Sequence, residues 1–193
     1  MTDPSTEAPE KGRQERILDA VLRLLAEHGI SGVSMRAVAR EAGVALGLVG
    51  YYYEDKIGLI GAALRRIEEQ DVALVTPDAT LAPEERVKTA LRRVADPQYL
   101  STEYLSLRLQ LWALARAHDE FDHINTTAQK RYRAALADLI RDARPHISRR
   151  DCAKRAADID IVQNGMWLTA LLKVDHASLR RAVNHCEEIA LAP

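Results

Sequence analysis

The chain has 193 residues, 47% of them hydrophobic and 28% charged, with a formal net charge of −1. That suits one or two compact domains with a real core, and total charge gives no pointer to nucleic acid or membrane. No stretch approaches the roughly 20 apolar residues that a membrane span needs. The opening MTDPSTEAPEKGRQ is polar and has no apolar signal core, which predicts a cytoplasmic protein. Its first ten residues carry three acids, two prolines and no base, so residues 1–12 read as a disordered tail. Cys152 and Cys186 lie far apart, outside any metal spacing, and are expected as reduced thiols.

Apolar residues recur at helical spacing throughout, and alternating β-branched runs are absent. Ile17, Val21, Leu24 and Leu25 mark a first helix, with Gly29 as its natural end. Ser34 caps a second, short one whose buried side carries Val38 and Ala39, and Gly43 ends it. A third covers Leu46 to Tyr52. Asp55 caps a fourth, with Leu59, Ile60, Ala63, Leu64 and Ile67 on one face. The break VTPDATLAP (75–83) follows. Five further helices are predicted: 83–95, 98–117, 120–144, 149–173 with a Ser148/Asp151 capping box, and one from Asp175 to about Leu191. The fold class is all-α, about nine helices in two parts. A three-helix unit spans 13–56 and a larger helical domain 57–193, the helix over 56–74 linking them.

Three short helices with a Gly-Val turn between the second and third form a helix-turn-helix arrangement. The stretch MRAVAREAGVALGLVGYYYEDKIGLI resembles the DNA-binding segment of the TetR family of transcriptional regulators. The matching elements are Ala42-Gly43-Val44, Gly47, Tyr52-Tyr53 and Asp55-Lys56. Within that family the spacing of EDKIGLI and the lack of an aromatic at Gly50 look most like the choline-responsive betaine regulators. The resemblance implies a homodimeric, ligand-responsive regulator, a repressor by expectation, which binds a palindromic double-stranded DNA operator and is released by a small-molecule effector. The alternatives are an activator, a ligand-independent DNA-binding protein, or an enzyme on a helical fold. No Ser-His-Asp pattern, phosphate-binding glycine loop or zinc spacing favours the enzyme, and no cofactor or metal is expected. HDEFDH (118–123) falls at a helix junction and reads as a solvated corner.

An interior glycine costs a helix about 1 kcal/mol relative to alanine, so the segment with Gly47 and Gly50 depends on tertiary packing. Gly47 also leaves room for a phosphate backbone to approach. Tyr53 reads as core. Tyr52 offers a hydroxyl and Lys56 a charge beside the free N–H groups of a helix start. Residues 11–66 hold nine bases and six acids. The expected DNA contacts are Ser34, Arg36, Ala45, Leu46, Gly47, Tyr51, Tyr52 and Lys56. Ala45 stands where the family often has Ser or Thr, which removes a cap worth about 1 kcal/mol. Leu46, Leu48 and Gly50 offer base edges no hydrogen bonds. Readout therefore falls to thymine methyls, Arg36, Tyr51 and DNA shape.

Tyr104, Arg108 and Trp112, spaced by four, share a helix face. An arginine amid that face, with Tyr132 and Trp167 from neighbouring helices, predicts an effector cavity. The aromatic rings suit a quaternary ammonium, whereas Arg108 favours an anion or a carbonyl. IVQNGMWLTALL (161–172) carries no charge in twelve positions. A helix apolar on nearly every side must be covered on nearly every side, so Asn164, Leu168 and Leu172 are expected at a dimer interface, with Gly165 allowing close approach.

Overall fold

The computed structural model of the chain describes residues 10–172 and 175–193. Residues 1–9 of the expected tail lie outside them. Residues 10–12 already belong to the first helix. Among the described residues there are nine α-helices and no strand: α1 (Glu10–Gly32), α2 (Met35–Ala42), α3 (Leu46–Tyr52), α4 (Lys56–Leu74), α5 (Pro83–Arg93), α6 (Thr102–Ala117), α7 (Asp119–Ala143), α8 (Arg149–Leu171) and α9 (His176–Leu191). A short 3-10 turn, Pro97–Tyr99, precedes α6. Side-chain caps start five of the helices, Asp55 accepting from the Gly58 N–H at 2.8 Å at the start of α4. Ser34 accepts from the Ala37 N–H at 3.1 Å, Ser101 from Tyr104 at 3.3 Å, Ser148 from Asp151 at 3.1 Å and Asp175 from Ser178 at 2.8 Å.

The chain divides into two units inside α4, between Arg65 and Arg66, rather than at residue 56. The first turns of α4 count with the smaller unit, where Leu59, Ile60 and Ala63 are fully buried. Ile17, Val21, Leu25, Val38 and Val49 are fully buried too. The regular part of α1 ends at Gly29, whose φ of 65° favours glycine, and one more turn runs on to Gly32. A Cβ on Gly32 would fall 2.3 Å from the His28 Cβ, so only glycine fits that turn.

In the larger unit α7 packs on α8, α8 on α9, α6 on α7, and α5 on both α7 and α9. One core cluster gathers Val87, Leu91, Leu136, Ile140, Ile159 and Ala190. A second gathers Leu74, Val94, Leu105, Met166, Trp167 and Val183. Arg92 pairs with Glu187 at 2.7 Å, fastening α5 to α9. Both cysteines are free and buried, and burial pushes the Cys186 thiol up to about 12. His118 starts α7 with its ring edge-on to Phe121, 5.2 Å between centroids.

Candidate functional sites

The helix-turn-helix is built by one turn. Gly43 sits at φ 64°, ψ 40° and closes α2, its N–H reaching the Ala39 and Arg40 carbonyls. The Val44 N–H returns to Ala39 at 3.0 Å. This pairing satisfies the last carbonyls of α2 and turns the chain sharply into α3. Ala45 starts α3 without a side-chain cap, and Val49 is the only buried residue of that helix. The outer side of α3 is correspondingly open. Leu46 is 46% and Tyr51 76% exposed. Arg36, Arg40, Ala45 and Gly47 are exposed as well. Tyr51, Tyr52 and Tyr53 form a ladder, with centroids 5.4 Å and 6.3 Å apart, that ends in the buried Tyr53.

Lys56 makes a bond that the sequence did not show. Its ammonium donates to the Ile30 carbonyl at 2.7 Å and so ties the start of α4 to the end of α1. One of three N–H groups is used there, and two remain for a phosphate. A Cβ placed on Gly47 would meet no protein atom within 4 Å. Gly47→Ala is therefore expected to raise the melting temperature, by up to about 1 kcal/mol of helix propensity. If a phosphate backbone lies against that position, the same change weakens operator binding roughly tenfold. Thermal melts and fluorescence anisotropy check the pair, and a variant that gains stability and keeps its affinity refutes the close approach.

The larger unit holds a recess with an enclosed void of about 20 Å³, lined by Glu68, Asp71, Arg108, Ala128, Gln129, Tyr132, Asp160, Gln163, Asn164 and Trp167. Of the five expected ligand residues, Arg108, Tyr132 and Trp167 line it. Tyr104 and Trp112 do not. Tyr104 donates its hydroxyl to Asp71 and meets the Trp167 ring edge-on. Trp112 lines a smaller recess with Leu105, Leu109 and Leu168, on the other side of Arg108. The reason is Arg108 itself. It forms an ion pair with Asp71, and its guanidinium stacks 4.6 Å from the Trp167 centroid and 5.4 Å from that of Trp112. Burial pushes this guanidinium below its ordinary pKa, against the opposing pull of Glu68 and Asp160. Trp167 is also anchored by its indole N–H, which donates to the Val94 carbonyl at 3.0 Å. Burial likewise raises the Tyr104 and Tyr132 phenols.

Sequence reasoning missed the acids. Glu68, Asp71 and Val75, spaced three and four on α4 and its exit, fall on a buried stripe, as do Ala156, Asp160, Gln163 and Trp167 along α8. A carboxylate at a stripe position is the signal that could have found them. Asn164 also lies elsewhere than expected. It is half-buried, lines the cavity and donates to Asp160 at 3.2 Å. Leu168 and Leu172 are exposed, at 45% and 74%, in line with Ile161 at 65%.

A helix-turn-helix unit, joined by one continuous helix to a second helical unit with a polar cavity, defines a class of DNA-binding regulator. Residues 17–63 match the model for bacterial regulatory proteins of the tetR family, and residues 83–191 that for the BetI-type transcriptional repressor, C-terminal. The chain belongs to the TetR family of transcriptional regulators and carries a BetI-type C-terminal domain. It is 26% identical over 190 residues, 94% of each chain, to the HTH-type transcriptional regulator BetI of Burkholderia thailandensis. To the regulator of the same name from Cronobacter sakazakii it is 26% identical over 174 residues, 88% of this chain and 85% of that one. A transcriptional regulator from Pseudomonas aeruginosa PAO1 shares the fold with a TM-score of 0.83 at 22% identity, over 95% of this chain and 91% of the other. Another, from Saccharomonospora viridis in complex with choline, gives 0.70 at 20% identity, over 93% and 95%.

Proposed function

We propose that this regulator is a homodimeric repressor that binds a palindromic DNA operator in the cytoplasm and releases it when a small-molecule effector enters the cavity. The observation that carries the reading is the composition of α4. One unbroken helix begins with Lys56, in the DNA-reading unit, and continues to Glu68 and Asp71, in the cavity wall. An effector that binds one position of α4 better than another shifts the population of that position. A shift of α4 in each subunit alters the spacing of the two α3 helices, which must match successive major grooves. Among the described residues no helix is long and apolar enough to cross a membrane, which agrees with a protein that works at DNA.

In this reading Ser34, Arg36, Ala45, Leu46, Gly47, Tyr51, Tyr52 and Lys56 face the operator. Ser34 already caps α2, so its hydroxyl serves the helix first. The direct test is anisotropy on the DNA upstream of the gene, with and without candidate effectors, beside a transcription assay. An affinity that no small molecule changes would mark a ligand-independent binder. Transcription that rises with occupancy would mark an activator.

Lys56→Ala separates the two tasks of that residue. Binding to operator and to random DNA is expected to fall by similar factors, because a phosphate contact carries no sequence information. The salt slope is expected to fall by about one unit. Loss of the bond to Ile30 should also cost about 1.5 kcal/mol of stability, the lower end for a charged hydrogen bond that is partly exposed. A variant that melts lower yet binds DNA with unchanged affinity and slope would leave Lys56 a structural tie alone.

A further inference from the structure

The cavity has polar groups left over once its internal contacts are assigned. Asp71 receives the Tyr104 hydroxyl on one oxygen and is the ion-pair partner of the Arg108 guanidinium. Asp160 receives Arg133 Nε at 2.6 Å on one oxygen and Asn164 Nδ2 at 3.2 Å on the other. Glu68 is as deeply buried, at 8% exposure. Among the described residues no donor reaches its carboxyl group, and desolvation raises its pKa. Gln163, at 2% exposure, accepts the Tyr132 hydroxyl at 2.5 Å on its carbonyl oxygen. Its amide Nε2 has no partner among the described residues. The Gln163 amide is thus a buried donor left unmet, which is costly while it stays so, and beside it Glu68 is a mostly buried carboxyl with no protein donor among the described residues.

Charge says which end of a ligand goes where. Arg108 offsets Asp71 and Arg133 offsets Asp160, which leaves Glu68 as a surplus acid. A cation is the natural complement. Of the two aromatic rings that line the cavity, Tyr132 and Trp167, the larger is covered by the guanidinium of Arg108, 4.6 Å from its centroid. The chain's own cation fills that place.

We propose that the cavity takes a small molecule with a protonated primary or secondary amine, which donates N–H bonds to Glu68, and an oxygen acceptor, which receives the Gln163 amide. This names the ligand class of the effector proposed above and rests on that reading. A quaternary ammonium has no N–H for Glu68 and meets a Trp167 face that Arg108 already covers. The enclosed void is only about 20 Å³, room for little more than a water, so a small molecule enters by displacing the lining side chains. Because Glu68 stands on α4, the amine pulls on the helix that leads to the DNA reader.

The test is calorimetry on the full chain with ethanolamine, its mono- and dimethyl derivatives, and choline, one skeleton with N–H groups removed stepwise. Affinity is expected to fall along the series, by at least tenfold from ethanolamine to choline. Ethanolamine affinity should rise with pH as Glu68 ionises. The charged groups facing Glu68 are Asp71 on its own helix, Arg108 on α6 and Asp160 on α8, with the Tyr132 phenol on α7. Glu68→Gln, checked for folding by its melt, should lose at least tenfold in ethanolamine affinity together with the pH dependence. Choline binding as tightly as ethanolamine, no binding by any member of the series, or a folded Glu68→Gln that binds as the wild type does would each overturn the proposal. Operator release is read separately. An amine that binds without releasing DNA upholds this ligand class and refutes the repressor mechanism, whereas release by some other compound while no amine binds does the reverse.

Discussion

Arg108→Ala is expected to destabilise the larger unit by about 3–5 kcal/mol, the loss typical when one partner of a buried ion pair is removed. Arg108 and Asp71 are 8% and 5% exposed, so neither charge falls back on water. Truncation leaves the Asp71 carboxylate with the Tyr104 hydroxyl as its remaining partner among the described residues and strips the stacked guanidinium from Trp167 and Trp112. For a domain of this size that lowers the melting temperature on the order of 10 °C. The companion experiment is Arg108→Met with Asp71→Asn. Methionine keeps the apolar stem against the tryptophans, and asparagine keeps an acceptor for Tyr104 while removing the orphaned charge. The pair should recover more than half of the loss, since replacing a buried ion pair as a whole is often close to neutral. Equal melts for Arg108→Ala and the wild type would show that the guanidinium is not the counter-charge of Asp71.

The place of Arg108 also shows what could be read from the sequence and what could not. Period 3.6 places the helices, except that the one expected from 98 starts at Thr102 behind a 3-10 turn, and the caps Ser34, Asp55, Ser148 and Asp175 act where their positions indicate. Those are local properties, settled by a few neighbouring residues. The face bearing Tyr104, Arg108 and Trp112 was legible as unusual for the same reason. What it meets was not, because Asp71 lies 37 residues away on another helix and only packing brings it to Arg108. The unexpected bond from Lys56 to Ile30 is of the same kind: a charge at a helix start reads as anion-seeking, and tertiary structure gives one of its protons to a carbonyl. Asn164 stands in a run without charge, yet a helix of about six turns shows several faces, and its face turns to Asp160. Glu68 went unread because carboxylates are so often surface residues that a single one within an apolar stripe carries little weight.

Leu168→Glu together with Leu172→Glu is expected to convert the protein to a monomer and to abolish tight operator binding. Ile161, Gly165, Leu168 and Leu172 follow one another at spacings of four, three and four, which sets them along one side of α8. The three large side chains are 65%, 45% and 74% exposed. A Cβ on Gly165 would meet nothing within 4 Å, so the backbone is accessible there. In a two-fold dimer the same stripe serves both subunits, and six such side chains are covered at once. At about 1.5–3 kcal/mol for a side chain taken from full exposure, scaled to these partial exposures, the gross gain is roughly 5–11 kcal/mol. That is comparable with an association cost of about 4–15 kcal/mol, and it leaves little to spare. Two glutamates per subunit remove four of the six contacts and set like charges against each other across the axis. The consequence for DNA follows from valency. A dimer places two α3 helices on two half-sites, the second binding as an intramolecular event, and a monomer forfeits that gain of roughly 10²–10⁴ in affinity. Sedimentation at micromolar concentration and anisotropy on a palindromic site measure the two effects. If the wild type sediments as a monomer, or the double variant as a dimer with undiminished operator affinity, the α8 stripe is not the subunit interface.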